Sequence, residues 1–125
     1  MPILDAIGIV SADIAKSLQF YKLLGVDVPT EISDHVEAVL PSGLRLMFDS
    51  VQLMLQIDPD WKKPTGQSMG LAFLCDSPST VDEVFARCLA TGFAGAKEPW
   101  DAFWGQRYAQ VYDPDGNKVD LFAAL

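Results

Sequence analysis

The residues best equipped for chemistry lie between positions 98 and 108. Glu98-Pro99-Trp100-Asp101-Ala102-Phe103-Trp104-Gly105-Gln106-Arg107-Tyr108 brings two Trp, a Phe, a Tyr, two acids and an Arg together. Large flat rings beside carboxylates suit a flat or cationic guest, through stacking and the attraction of a cation to a ring face. The same rings suit a second use equally well, as bulky plugs of a hydrophobic core. Arg107 can hold a nearby carboxylate such as Asp101 in a two-pronged hydrogen bond. Asp120, farther along, has the makings of a half-buried carboxylate that accepts hydrogen bonds from the backbone and Tyr, or meets a cationic group. Trp61 stands in a polar stretch, either over a cleft or as an anchor facing solvent.

The single histidine, His35, excludes any site built on two histidines of one chain. Glu37 follows at i+2, so the two share one face of a strand. Together with Asp120 they supply an N,O,O donor set only if their faces converge, and a solvated edge pair is the simpler reading. No G-x-S-x-G sequence accompanies His35 to suggest a hydrolase nucleophile. Cys75 and Cys88 are too few for a disulfide framework and read as buried free thiols.

Nine basic and 17 acidic residues give a net charge of −8, and half of the 125 residues are hydrophobic. That balance opposes nucleic-acid phosphate and anionic membrane surfaces, and accepts cationic or neutral partners. Residues 1–5 show no basic segment followed by an apolar one, and no apolar run approaches the roughly 20 residues of a membrane span. The expectation is a soluble cytoplasmic protein.

The elements that would position these residues occur in two similar sets. Residues 3–10 read as a buried strand, and Ser11-Ala12-Asp13 offers caps for a helix with the stripe Ile14, Leu18, Tyr21, ended by Gly25. Three strand candidates follow at 35–40, 44–48 and 51–57, broken by Pro41-Ser42-Gly43 and Asp49-Ser50. A polar linker leads to a strand at 69–75. Ser77-Pro78 then opens a helix with the stripe Val81, Val84, Phe85, Cys88, Leu89, ended by Gly92. A strand near 94–98, the Trp-rich loop, and strands at 106–112 and 118–123 complete the chain. The last two strands are joined by Asp113-Pro114-Asp115-Gly116-Asn117, a turn whose glycine takes positive φ. The fold class is α+β, a tandem βαβββ repeat with halves 1–58 and 68–125 and a linker at 59–67.

This repeat, with ILDAIGIVSADIAKSLQFYKLLG, LAFLCDSPSTVDEVFARC and WGQRYAQVYDPDGNKVDLF as its carriers, resembles the vicinal-oxygen-chelate superfamily: glyoxalases, extradiol dioxygenases and the bleomycin-resistance group. The resemblance covers nearly the whole chain. It implies curled mixed sheets around a cleft and a homodimer, forming a single domain over 1–125. It also implies four metal-ligand positions, which fall on Ala6, Met54, Gly70 and Asp120. Methyl, thioether and hydrogen are poor ligands for a hard divalent cation, so no metal and no cofactor are expected. The small face of the first strand, Ala6, Gly8 and Val10, leaves room for a guest instead.

The resulting expectation is a metal-independent binding protein of the bleomycin-resistance kind rather than an enzyme. It would sequester a small aromatic compound, a cationic one being favoured by the acidic balance. The residues expected to contact it are Trp100, Phe103, Trp104, Arg107, Tyr108, Asp120, Met54 and Ala6. The alternative is a metal-dependent lyase, isomerase or dioxygenase of the same superfamily with an unconventional site, and a third reading is a module that only dimerises or binds a protein.

Overall fold

The computed structural model describes residues 1–125, which form two compact units, Met1–Lys63 and Pro64–Leu125. Each unit is a mixed sheet with one long helix against one face.

In the first unit, β1 (Ala6–Ser11) leads to α1 (Ile14–Leu23), β2 (His35–Val39), β3 (Arg45–Ser50) and α2 (Val51–Ile57). The sheet order is β1-β3-β2, with β1 parallel and β2 antiparallel to β3. Asp13 caps α1 by accepting from Lys16 N at 3.2 Å. Ile9, Val36, Ala38, Leu46 and Phe48 are buried, as are Ile14, Leu18 and Tyr21 of the helix, and the Tyr21 and Phe48 rings meet at 5.3 Å. Burying each such large apolar side chain contributes about 1.5–3 kcal/mol. The alternate residues of the strands, from Gly8 and Val10 to Met47 and Asp49, therefore face away from α1.

In the second unit, β4 (Leu71–Leu74) precedes α3 (Pro78–Ala90), β5 (Gly95–Ala102), β6 (Gln106–Tyr112) and β7 (Lys118–Ala124), in the sheet order β4-β7-β6-β5. Ser77 caps α3 by accepting from Thr80 N, with Pro78 in the first turn. Val81, Val84, Phe85 and Cys88 bury against Ala109, Val111, Val119, Leu121 and Ala123. Burial also pushes the Cys88 thiol up to about 11, so it is an inert free thiol at neutral pH. In the β6–β7 turn, the Asp113 carboxylate accepts from Asp115 N, Asn117 N and Asn117 Nδ2, while Gly116 takes φ of 85°.

Two sequence expectations need correction. Residues 51–57 form helix α2 rather than a strand. Their alternation of Val51, Leu53, Leu55 and Ile57 mimics strand periodicity, but both neighbours of β3 stop at its end. Ser11 is the last partner on one side, and Asp34 O accepts from Ser50 N on the other. With no ladder partner beyond Ser50, the backbone satisfies itself as a helix, which Ser50 caps by accepting from Leu53 N at 3.1 Å. The first unit is thus βαββα, while the second keeps βαβββ. The strand expected near 94–98 runs on to Ala102, so Trp100 and Asp101 belong to β5 and only Phe103, Trp104 and Gly105 form the turn.

Two glycines test the packing. A Cβ on Gly95 would lie 2.9 Å from Phe85 Cζ and 3.3 Å from Leu89 Cδ1, whereas one on Gly8 would meet nothing within 4 Å. Gly95→Ala is therefore expected to cost about 1–3 kcal/mol through overpacking against α3, and Gly8→Ala to cost nothing measurable in denaturant unfolding.

Candidate functional site

Strand alternation in the second unit sends Val111, Val119 and Leu121 toward α3 and the intervening residues to a face that no helix covers. Ladder register arranges that face in rows. Leu74, Phe122, Tyr108 and Trp100 are successive neighbours across the four strands. The next row is Ala72, Asp120, Gln110 and Lys97. An apolar, mostly aromatic row thus lies beside a polar one.

The rings make a continuous network. Trp100 meets Tyr108 at 5.5 Å and Trp104 at 6.1 Å, Trp104 meets Tyr108 at 5.3 Å, and Phe103 meets Trp104 at 5.0 Å, all edge to face. Tyr108 stacks on Phe122 at 6.1 Å. Contacts of this kind are worth about 0.5–1.5 kcal/mol each beyond area burial. The network is only partly shielded: Trp104 is 48% and Phe103 97% exposed. Trp104 Nε1 donates to Gln106 Oε1 at 2.8 Å, which fixes the indole at the turn.

Asp120 sits under this network. Tyr108 donates its hydroxyl to Asp120 Oδ2 at 2.5 Å, and Gln110 Nε2 donates to Oδ1 at 2.9 Å. Burial, then the hydrogen bond to this carboxylate, push Tyr108 up to about 12, so it remains a donor. The Lys97 ammonium lies 4.0 Å from the centre of the Trp100 ring.

The residues expected to contact a guest divide accordingly. Trp100, Trp104, Tyr108 and Asp120 come together, with Phe103 at the rim. Arg107 does not join them. It alternates with Tyr108 onto the helix side, where it binds Asp82 of α3 through Nε and Nη2 (3.0 and 3.2 Å) and Asp101 through Nη1 (3.1 Å). Ala6 lies on β1 and Met54 on α2, both in the other unit. Phe122, Gln110 and Lys97 were missed by the sequence reading. The i+2 spacing of Phe122 from Asp120, and of Gln110 from Tyr108, was the available signal.

The first unit presents different chemistry at equivalent positions. Pairing of β3 with β1 and β2 matches that of β7 with β4 and β6, so Met47 corresponds to Asp120, Glu37 to Gln110, His35 to Tyr108 and Asp49 to Phe122. This corrects the assignment of Met54, because the strand equivalent to β7 is β3. The face carries a chain of charges. His35 Nδ1 lies 2.5 Å from Asp49 Oδ1 and Nε2 2.7 Å from Glu37 Oε2, while Arg45 donates to Glu37 and Asp5 at 2.6 and 2.7 Å.

Hydrogen bonds donated to Glu37, then to Asp49, raise His35 above its ordinary 6.5. The protonated ring is the form held by the fold. Its contribution to stability is therefore complete below the unfolded value and is lost as pH rises through the folded one. His35 gives the only histidine signals in an NMR titration. Their midpoint is expected above 6.5 and should fall in both Glu37→Gln and Asp49→Asn; a wild-type midpoint at or below 6.5 would contradict the geometry.

A mixed sheet backed by one helix, used twice with matching register, defines the class of protein to which this fold belongs. The model of the Glyoxalase/Bleomycin resistance protein/Dioxygenase superfamily matches residues 3–121, and the chain belongs to that superfamily. A glyoxalase-related enzyme from Fulvimarina pelagi has a similar structure, with TM-score 0.84 at 20% identity, covering 98% of this chain and 88% of that one. A protein of Agrobacterium tumefaciens solved by NMR is 29% identical, with TM-score 0.76 over 100% of this chain and 99% of its own. A protein of Rhizobium meliloti (strain 1021) described as a putative sugar lactone lactonase is 39% identical over 87 residues. Those residues are 66% of this chain and 27% of that much longer relative.

Proposed function

We propose that this protein binds and sequesters a small planar aromatic compound on the ring-bearing face of the second unit, without metal and without covalent chemistry. The observation that carries this is the five-ring network of Trp100, Phe103, Trp104, Tyr108 and Phe122 on a sheet face that no helix covers. A structural plug would bury its outermost rings; here Phe103 and Trp104 stay exposed. Stacking then supplies affinity, and the polar row beside the rings supplies orientation.

The donor set at the positions that the family resemblance gives to a metal supports the same reading. Ala6 and Gly70 offer no donor, Met47 or Met54 a thioether, and Asp120 a carboxylate whose two oxygens already accept from Tyr108 and Gln110. This set does not fit a hard divalent cation. His35 has both ring nitrogens turned to carboxylates, and no group of three His, Cys, Asp or Glu side chains is arranged to hold a metal ion.

We also propose a homodimer. α2 buries none of its residues, although it is apolar, and the edge strand β4 leaves Leu74 73% exposed. Such surfaces favour association. No helix of the chain is long and apolar enough to cross a membrane. Sedimentation equilibrium should return twice 13.7 kDa.

Binding is tested by tryptophan fluorescence during titration with planar heteroaromatics. Saturable quenching is expected, with Trp104→Ala weakening affinity about twofold to tenfold, the equivalent of one lost ring contact. No saturable response in the wild type would remove the reading. Metal analysis of protein purified without chelator separates it from the metalloenzyme alternative: stoichiometric zinc, nickel, manganese or iron lost in Asp120→Ala would establish the latter.

A further inference from the structure

The charge on the ring-bearing face differs from that of the whole chain. Asp120, the carboxylate in the polar row, spends one oxygen on the Tyr108 hydroxyl and the other on the Gln110 amide. Asp82 and Asp101 are held by Arg107 on the helix side, and Asp5, Glu37 and Asp49 are engaged in the first unit. At the end of the same polar row, the Lys97 ammonium rests on the face of Trp100 at 4.0 Å. The ion pairs of the chain use His35, Arg45 and Arg107 as their cations, and none uses Lys97. Lys118, on the same face, adds a second positive charge one row further. The register thus places Lys97 and Lys118 on this face as cations outside any ion pair, beside one carboxylate that accepts only from neutral donors, in a protein of net charge −8.

We propose that Lys97 determines specificity: the site takes planar aromatic compounds that carry an acid group, and Lys97 discriminates against isosteric cations. This rests on the reading that the ring cluster is the binding surface, and it reverses the guest charge suggested by the overall composition. The physical case has two parts. A solvent-exposed ammonium resting on a ring is weakly held, so the four-carbon arm of Lys97 leaves Trp100 at little cost to meet a carboxylate stacked beside the indole. A cationic guest finds that ring face occupied, and must displace a like charge to use it. Rings that exclude water on one side strengthen the acid–ammonium pair relative to one fully in solvent.

The test is calorimetric titration of full-length protein with three shape-matched probes: acridine carboxylate, uncharged acridine and N-methylacridinium, in buffer alkaline enough to keep acridine neutral. Wild type should prefer acid over neutral over cation, with about fivefold between the extremes, as expected of one partly exposed charge contact. In Lys97→Met the acid should weaken and the cation strengthen, each measured relative to the neutral probe, whereas Lys97→Arg should keep the wild-type order. Lys97 is exposed, and circular dichroism of each variant checks that the fold is intact. Preference for the cation by the wild type, or an unchanged order in Lys97→Met, overturns the assignment while leaving the ring cluster as a binding surface. Failure of all three probes to bind removes both.

Discussion

Each sheet in this protein has one long helix and therefore one sealed face. Everything else follows from that constraint, because strand alternation converts it into a rule for every residue of a strand. Odd neighbours such as Ala109 and Val111 go beneath α3 and supply the burial energy. Even neighbours such as Tyr108 and Gln110 are left on the other face, free to carry chemistry. Slippage of β6 or β7 by one position would exchange core and site completely, so the hydrophobic row under α3 also fixes the registration of the aromatic row opposite. Stability and the candidate site are two sides of one set of ladders.

The two units show how much that arrangement tolerates. The pairings of β1, β3 and β2 match those of β4, β7 and β6, yet one face carries Asp49, His35, Glu37 and Arg45 and the other carries Phe122, Tyr108, Gln110 and Asp120. The core positions facing a helix are mostly apolar in both, with Ser11, Ser17 and Ser50 buried as well in the first unit. The opposite positions have no such constraint, and in the two halves they carry an ionic chain and a ring cluster. The same freedom lets residues on a helix-free face vary without disturbing the superfamily's fold.

Within the ring cluster, the charges differ in their internal partners. Asp120 is the most conspicuous acid, but Tyr108 and Gln110 have already answered it, and Tyr108 is held as a donor by the same contact. Lys97 has a ring in place of an acid. The charges at this face thereby differ from the net charge of the chain, to which acids along its whole length contribute.

Much of this was legible in the sequence. Capping residues and apolar stripes marked α1 and α3, alternation marked β6 and β7, and the density of rings between 98 and 108 marked the site, because these signals are local. Helix α2 was misread, since period-2 alternation resembles a strand, and only the end of both neighbouring ladders at Ser50 denies residues 51–57 a partner. Arg107 was grouped with the aromatic residues for its proximity in sequence, until the parity of β6 sent it to Asp82 on the helix side. Phe122, Gln110 and Lys97 joined the cluster through cross-strand register, a relation between distant segments that composition and spacing do not contain. The sequence by itself thus determined the elements, the family pattern and the inventory of rings and charges. Tertiary structure alone decided which of those groups share a face and which charges are already paired, because both depend on strand neighbours remote in the chain.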